Sequence, residues 1–224
     1  VDADHLVSIS HFKGHDLAGF GGALKNIGMG CATRQGKMQQ HCGMGPLLKP
    51  ENCRGCGLCV EVCRPGALTL NEKTISLDAE KCVGCAACLL ACRHGGLDVN
   101  WKVEINTFLE RMMEYAAGVL TLPGKKFLHL NFLVDITPGC DCVGFSDAPL
   151  CADLGVLAST DPVALDQAAL DLVNRAVPRD PSGKGFEPGK DKFHALHSHV
   201  QGEYALEYAQ KIGLGSRSYR LFSI

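Results

Sequence analysis

A chain of 224 residues is long enough for one or two domains with a real hydrophobic core. Its 22 Lys and Arg against 24 Asp and Glu leave a net charge of −2, with no basic surface or tail of the kind that binds nucleic acid or anionic lipid, and no apolar run approaches the roughly 18 to 20 residues of a membrane span. Thirteen cysteines, an odd number with no visible export signal, argue against a disulfide framework and for metal held in a reducing compartment, the cytoplasm of an anaerobe or microaerophile.

The first predicted strand, Leu6–Ser10, follows Asp2-Ala3-Asp4-His5 with no lead-in, so a longer native chain is expected upstream. His11 and His15 come next, in a predicted loop; on a helix they would share a face, as a metal pair can. The glycine-rich stretch Gly19–Gly30 lacks the G-x-x-x-x-G-K-[ST] of a phosphate loop. It reads either as a tight turn or as a helix N-terminus whose N–H groups cradle an anion, with Lys25 as counter-charge.

An internal repeat then dominates. Cys53, Cys56, Cys59 and Cys63 recur at one constant interval as Cys82, Cys85, Cys88 and Cys92, and Gly66-Ala67-Leu68-Thr69-Leu70 recurs as Gly95-Gly96-Leu97-Asp98-Val99. Such self-similarity marks one supersecondary unit used twice. Three cysteines at two-residue spacing curl around one side of a cubane, and in two-cluster ferredoxins the fourth cysteine of each run crosses to the other cluster. The expected cofactors are therefore two [4Fe–4S] clusters, one on Cys53, Cys56, Cys59 and Cys92, the other on Cys82, Cys85, Cys88 and Cys63. Structural zinc favours two separated pairs and fits a repeated triplet poorly. Gly55, Gly57 and Gly84 supply the tight turns. Arg64 stands where a proline commonly follows the fourth cysteine, and Arg93-His94 follows Cys92; the positive charge is expected to raise the cluster potentials.

Beyond the repeat, Ile105, Phe108, Leu109, Met112, Met113 and Ala116 recur at helical spacing, Phe127–Val134 is a predicted strand, and Gly155–Ala158 a second, buried one. Thr160 or Asp161 caps a helix with Pro162 at its first position and Ala164, Leu165, Ala168, Ala169, Leu172 and Val173 on its apolar face. Pro178–Lys192 reads as a loop, Leu196–Ile212 as a last helix ending at Gly213, and Tyr219–Ile224 as a closing strand. His194, His197 and His199 near that helix start read as solvated or capping. Five cysteines fall outside the repeat: Cys31, Cys42, Cys140, Cys142 and Cys151. Cys140-Asp141-Cys142 lies at the end of the predicted Phe127–Val134 strand, where open α/β sheets bind ligands. With Asp135 and Asp147 nearby, Lys25, Cys140, Asp141, Cys142 and Cys151 are candidates for a substrate or third-metal site, against the ordinary reading of reduced, partly buried thiols.

Gly22–Gly30, the repeated cysteines, Asp141-Cys142 with Phe145–Pro149, and Ala158–Asp166 together resemble the DUF362 family, iron–sulfur proteins of bacteria and archaea with a ferredoxin insert. The resemblance covers most of the chain with its motifs in the expected order. It implies a mixed α/β host domain, residues 1–47 and 101–224 and lacking its N-terminal part, interrupted by a ferredoxin-like α+β module at 48–100. The activity expected is electron transfer through the clusters to a small-molecule substrate or a redox partner protein bound by the host, an oxidoreductase if an enzyme. A non-catalytic carrier subunit of a larger oxidoreductase and a metal or cluster maturation factor are the alternatives.

Overall fold

In the computed structural model, which describes residues 3–41, 45–100, 104–142, 144–179 and 186–224, the chain divides into two units. One is built from Val1–Cys31 and Leu109–Ile224, the other from the intervening Ala32–Phe108. The first opens with β1 (His5–His11), the hairpin of β2 (Lys13–His15) and β3 (Gly19–Gly21), and α1 (Ala23–Gly30). The second holds α2 (Arg34–His41), β4 (Leu47–Leu48), α3 (Leu58–Glu61), β5 (Leu68–Asn71), β6 (Thr74–Leu77), α4 (Ala87–Ala91) and β7 (Leu97–Asp98). Then come α5 (Ile105–Leu120), β8 (Lys126–Leu133), β9 (Gly155–Ser159), α6 (Pro162–Arg175), α7 (Lys192–Leu196) and α8 (Glu203–Lys211). Helices and small sheets alternate, so the architecture is mixed α/β.

In the first unit β8 is the central strand of three. It pairs in parallel with β1, from His5 opposite Lys126 to His11 opposite Phe132, and antiparallel with β9. The sheet is polar on its buried side. Ser8, Ser10, His129 and Asn131 face inward, whereas Val7 and Ile9 on the opposite face are 55% and 63% exposed. Buried polar groups need partners, and these largely have them. Ser8 Oγ lies 2.8 Å from His129 Nδ1, and Asn26 Nδ2 donates to Ser10 Oγ at 3.0 Å. Asn131 Nδ2 donates to Asp166 Oδ1 at 2.7 Å. Phe12, Phe20 and Phe193 cluster in the apolar core with ring centroids 5.3 to 6.1 Å apart.

Asp161 caps α6 as the sequence predicts, accepting from the N–H groups of Val163 and Ala164, and Val163, Leu165, Ala169 and Val173 bury its apolar face. Several predicted elements differ from those observed. β9 is an exposed edge strand, its Val156 facing solvent, because it pairs on one side alone. The predicted last helix is two: α7 starts earlier, capped by Asp191 at the end of the predicted loop, and α8 starts afresh after Gly202. Gly202 lies so close to Phe20 that a Cβ there would come within 2.8 Å of the ring. Tyr219–Ile224 forms no strand. Lys13–His15, read as loop, is strand β2.

The second unit carries the sequence repeat into its backbone. α3 and β5 recur as α4 and β7, and each helix is entered through a left-handed residue, Gly57 at φ +78° and Ala86 at φ +58°. Gly55 and Gly84, both at φ +64°, precede them. Cys59, Leu68, Ile75, Cys88 and Leu97 form its core.

Candidate metal centres

The eight repeated cysteines gather inside the second unit around two cavities. One is lined by Cys63, Cys82, Cys85 and Cys88 with Pro65, Ala67, Leu68 and Leu77. The other is lined by Cys53, Cys56, Cys59 and Cys92 with Gly57 and Ile75. Each triplet is thus joined by the fourth cysteine of the other run, because α3 and α4 pack together and carry each run's end across to its neighbour.

As free thiols these groups crowd one another. Burial, then the charges of Cys85, Cys82 and Cys63, pushes the Cys88 thiol up to about 12. Burial raises Cys59 too, with Cys92 and Cys53 adding to it. Four thiolates lining one cavity are tolerable only around a cation, so the donor set fits a thiolate-bound metal group. Space fits as well. A Cβ at Gly45 would stand 2.9 Å from Cys82 Sγ, and one at Gly96 would press on Cys53. The Ala67 N–H donates to Cys63 Sγ at 3.2 Å.

A separate group forms within the first unit. The ligand atoms of His15, Cys140 and Cys142 all lie within 4.8 Å of one another. His15 ends β2 and the cysteines lie in the loop after β8, more than a hundred residues on. Gly14 brings the two together: its N–H donates to Thr137 O at 2.9 Å, and a Cβ on it would sit 1.9 Å from Pro138 O. His197 Nε2, at 3.1 Å from the same carbonyl, holds the loop from the other side. His15 Nε2 lies 3.8 Å from Cys142 Sγ.

Lys25 Nζ is 3.7 Å from Cys140 Sγ. Burial alone would raise the Cys140 thiol, but the Cys142 N–H and the Lys25 ammonium outweigh it and leave it below the usual thiol range. Cys142 is pushed up, by burial and then by Cys140. Lys13 pairs with Asp141 and holds its carboxyl below the carboxylate range, and His11 Nδ1 lies 3.4 Å from the same oxygen.

Of the five candidates read from the sequence here, the structure thus brings Lys25, Cys140, Asp141 and Cys142 together. Cys151 lies apart, in a bridge with Pro178, its thiol raised by burial. Cys31 is exposed, Cys42 falls outside the described residues, and Asp135 bonds through its N–H to Asp153. His194 Nδ1 contacts Val200 O. The anion cradle at Gly19–Gly30 exists, but the protein fills it. Asp166 accepts from the N–H groups of Ala23 and Leu24 at 2.8 and 2.9 Å. Lys13 and the central role of His15 were missed. His11, Lys13 and His15 alternate at the period of a strand rather than of a helix. Lys13 and His15 reach Asp141 and Cys142, while His11 Nε2 contacts the carbonyls of Val134 and Asp135 and its Nδ1 lies 3.4 Å from Asp141.

A mixed α/β chain rich in cysteines, with a His–Cys group able to hold a metal, is the class that fold and side chains define. The chain belongs to the family described as Domain of unknown function (DUF362), whose profile matches residues 1–171. No curated protein matches it. No helix among the described residues is long and apolar enough to cross a membrane.

Proposed function

We propose that the chain is an electron-transfer protein that holds two [4Fe–4S] clusters in a ferredoxin-like module at residues 48–100 and passes electrons to a substrate or a redox partner. The observation that carries this reading is the division of eight repeated thiols into two cavities of four, each mixing the two runs. Zinc ribbons divide four thiols as two pairs; a triplet plus one distant cysteine, used twice with the same left-handed turns, is the arrangement of a two-cluster ferredoxin. Bound cubanes take up and release one electron each.

The chain's part is to bind and tune. Gly55, Gly57, Gly84 and Ala86 turn the backbone around each cavity, and the Ala67 N–H on Cys63 withdraws charge from a sulfur. Arg64 and Arg93, adjacent to Cys63 and Cys92, favour the more negative reduced state.

Anaerobic iron and sulfide quantification with electron paramagnetic resonance during a redox titration tests the reading. About eight irons per chain are expected. Colourless protein, or a second unit loaded with zinc alone, overturns it.

A further inference from the structure

We infer that His15, Cys140 and Cys142 form a third metal centre, a zinc site with three protein ligands and an open fourth position beside Lys25. It lies wholly within the first unit and stands independently of the iron–sulfur reading.

Zinc accepts thiolate and imidazole ligands at about 2.3 Å and 2.0–2.1 Å, and a tetrahedral centre with those bonds sets sulfur and nitrogen about 3.5 Å apart. The 3.8 Å between Cys142 Sγ and His15 Nε2 is within a few tenths of that, and the whole set fits inside 4.8 Å. Two soft sulfurs and one imidazole select zinc over the hard cations that carboxylates hold.

The convergence is built rather than incidental. Gly14 admits Pro138 O where any Cβ would collide, and His197 holds that carbonyl. His15 and Cys140 are both more than nine-tenths buried, while Cys142 opens to solvent and provides the entry path.

The protons balance. Each thiol releases one proton to solvent as its sulfur binds the cation. His15 Nδ1 lies 3.1 Å from the N–H groups of Leu17 and Ala18, and 3.3 Å from Asp16 Oδ1. The backbone N–H groups make Nδ1 the acceptor of the metal-free ring, which assigns the ring proton to Nε2. Coordination through Nε2 would place the ring proton on Nδ1, breaking the two bonds accepted from Leu17 and Ala18 and turning Nδ1 into a donor to Asp16 Oδ1, the carboxylate–histidine pairing that orients zinc ligands elsewhere. The Leu17 N–H keeps Asp16 Oδ1 as its acceptor at 2.9 Å. One Zn2+ cancels two thiolates, so the Lys25 ammonium leaves the open position positive and suited to water or an anionic oxygen donor.

The test is zinc content and zinc-edge X-ray absorption on the full chain, produced anaerobically with zinc supplied, beside iron and sulfide counts. One zinc per chain is expected, with two sulfurs at about 2.3 Å and nitrogen or oxygen at about 2.0–2.1 Å. Cys142→Ser, at an exposed position, and His15→Gln should each lose the zinc with iron and sulfide unchanged. The inference is overturned by zinc-free wild-type protein, or by zinc that survives both substitutions. A four-sulfur spectrum, which would mean zinc on the repeated cysteines, also overturns it. So do a Cys140–Cys142 disulfide in mass spectrometry, or excess iron that Cys142→Ser removes.

Discussion

Replacing Asp166 by Ala should cost about 3 kcal/mol. The carboxylate is almost fully buried and accepts from the N–H groups of Ala23 and Leu24 and from Asn131 Nδ2, at 2.7 to 2.9 Å. A buried donor stripped of its acceptor loses about 1–3 kcal/mol, so three at about 2 each give about 6. Against this, the substitution removes a charge that burial disfavours. Burial raises the Asp166 pKa from 3.8 to about 6 despite its three donors, and two pKa units correspond to about 3 kcal/mol. The difference is the predicted loss. Anaerobic urea unfolding followed by far-ultraviolet circular dichroism measures it, with both proteins carrying the same iron. A variant within about 0.5 kcal/mol of wild type, the range of neutral surface changes, would refute the argument that Asp166 closes the N-terminus of α1.

The same carboxyl predicts a pH signature. Its folded pKa is raised, so the folded state binds the extra proton between about pH 6 and 4, and the stability so gained is lost as pH rises through about 6. Measured as a difference, wild type should gain on the non-titrating Asp166→Asn as pH falls from 7 to 5; a constant difference contradicts it. Under the iron–sulfur reading, Cys92→Ala should remove the cluster built on Cys53, Cys56 and Cys59 and leave the other, lowering iron from about eight to about four per chain. Retained iron, or loss of the Cys82 cluster instead, speaks against the crossed assignment. Arg64→Glu should lower at least one midpoint potential in a redox titration, and an unchanged titration removes that role for the arginine. Gly14→Ala should destabilise the first unit by about 2 kcal/mol as an overpacking change and abolish zinc binding, whereas an unaffected zinc content would mean that the contact with Pro138 does not position His15.

The repeated cysteines were legible because their logic is local. Spacing of two residues, constant offset and matching glycines all lie within about fifty residues, and each cavity inherits its cysteines from those short runs. The caps and faces of α6 were legible for the same reason, since Asp161 and Pro162 act on the turn they start. The His15 group was only half visible. Cys140 and Cys142 announce themselves by proximity, but their third partner arrives from β2 through a backbone contact at Gly14, and no periodicity encodes which strand end meets which loop. The sheet misled for a physical reason as well. Burial of its Ser–His–Asn face depends on partners supplied from α1 and α6, so β9, read by hydropathy alone, was assigned to an interior that does not enclose it.

The glycine-rich stretch gains its meaning from what it clears. A Cβ on Gly22 would meet Asp166 Oδ1 at 2.4 Å, so its absence lets the carboxylate reach the first amides of α1. A Cβ on Gly21 would press on the Lys25 stem at 3.1 Å, so that stem runs back over bare backbone toward Cys140. The capped helix start and the lysine are therefore one construction. Asp166 pins the amides of residues 23 and 24, residue 25 follows in fixed register, and its ammonium is delivered to the thiol. A stretch that resembles an anion loop works here by supplying the anion from its own chain, which frees the neighbouring cation for the sulfur. Disturbing Asp166 should accordingly be felt at Cys140 as a rise in its thiol pKa, since Lys25 is among the groups that lower it. The rate of Cys140 alkylation in a Cys142→Ser background, compared with and without Asp166→Ala, reads that coupling directly. Equal rates would separate the cap from the site.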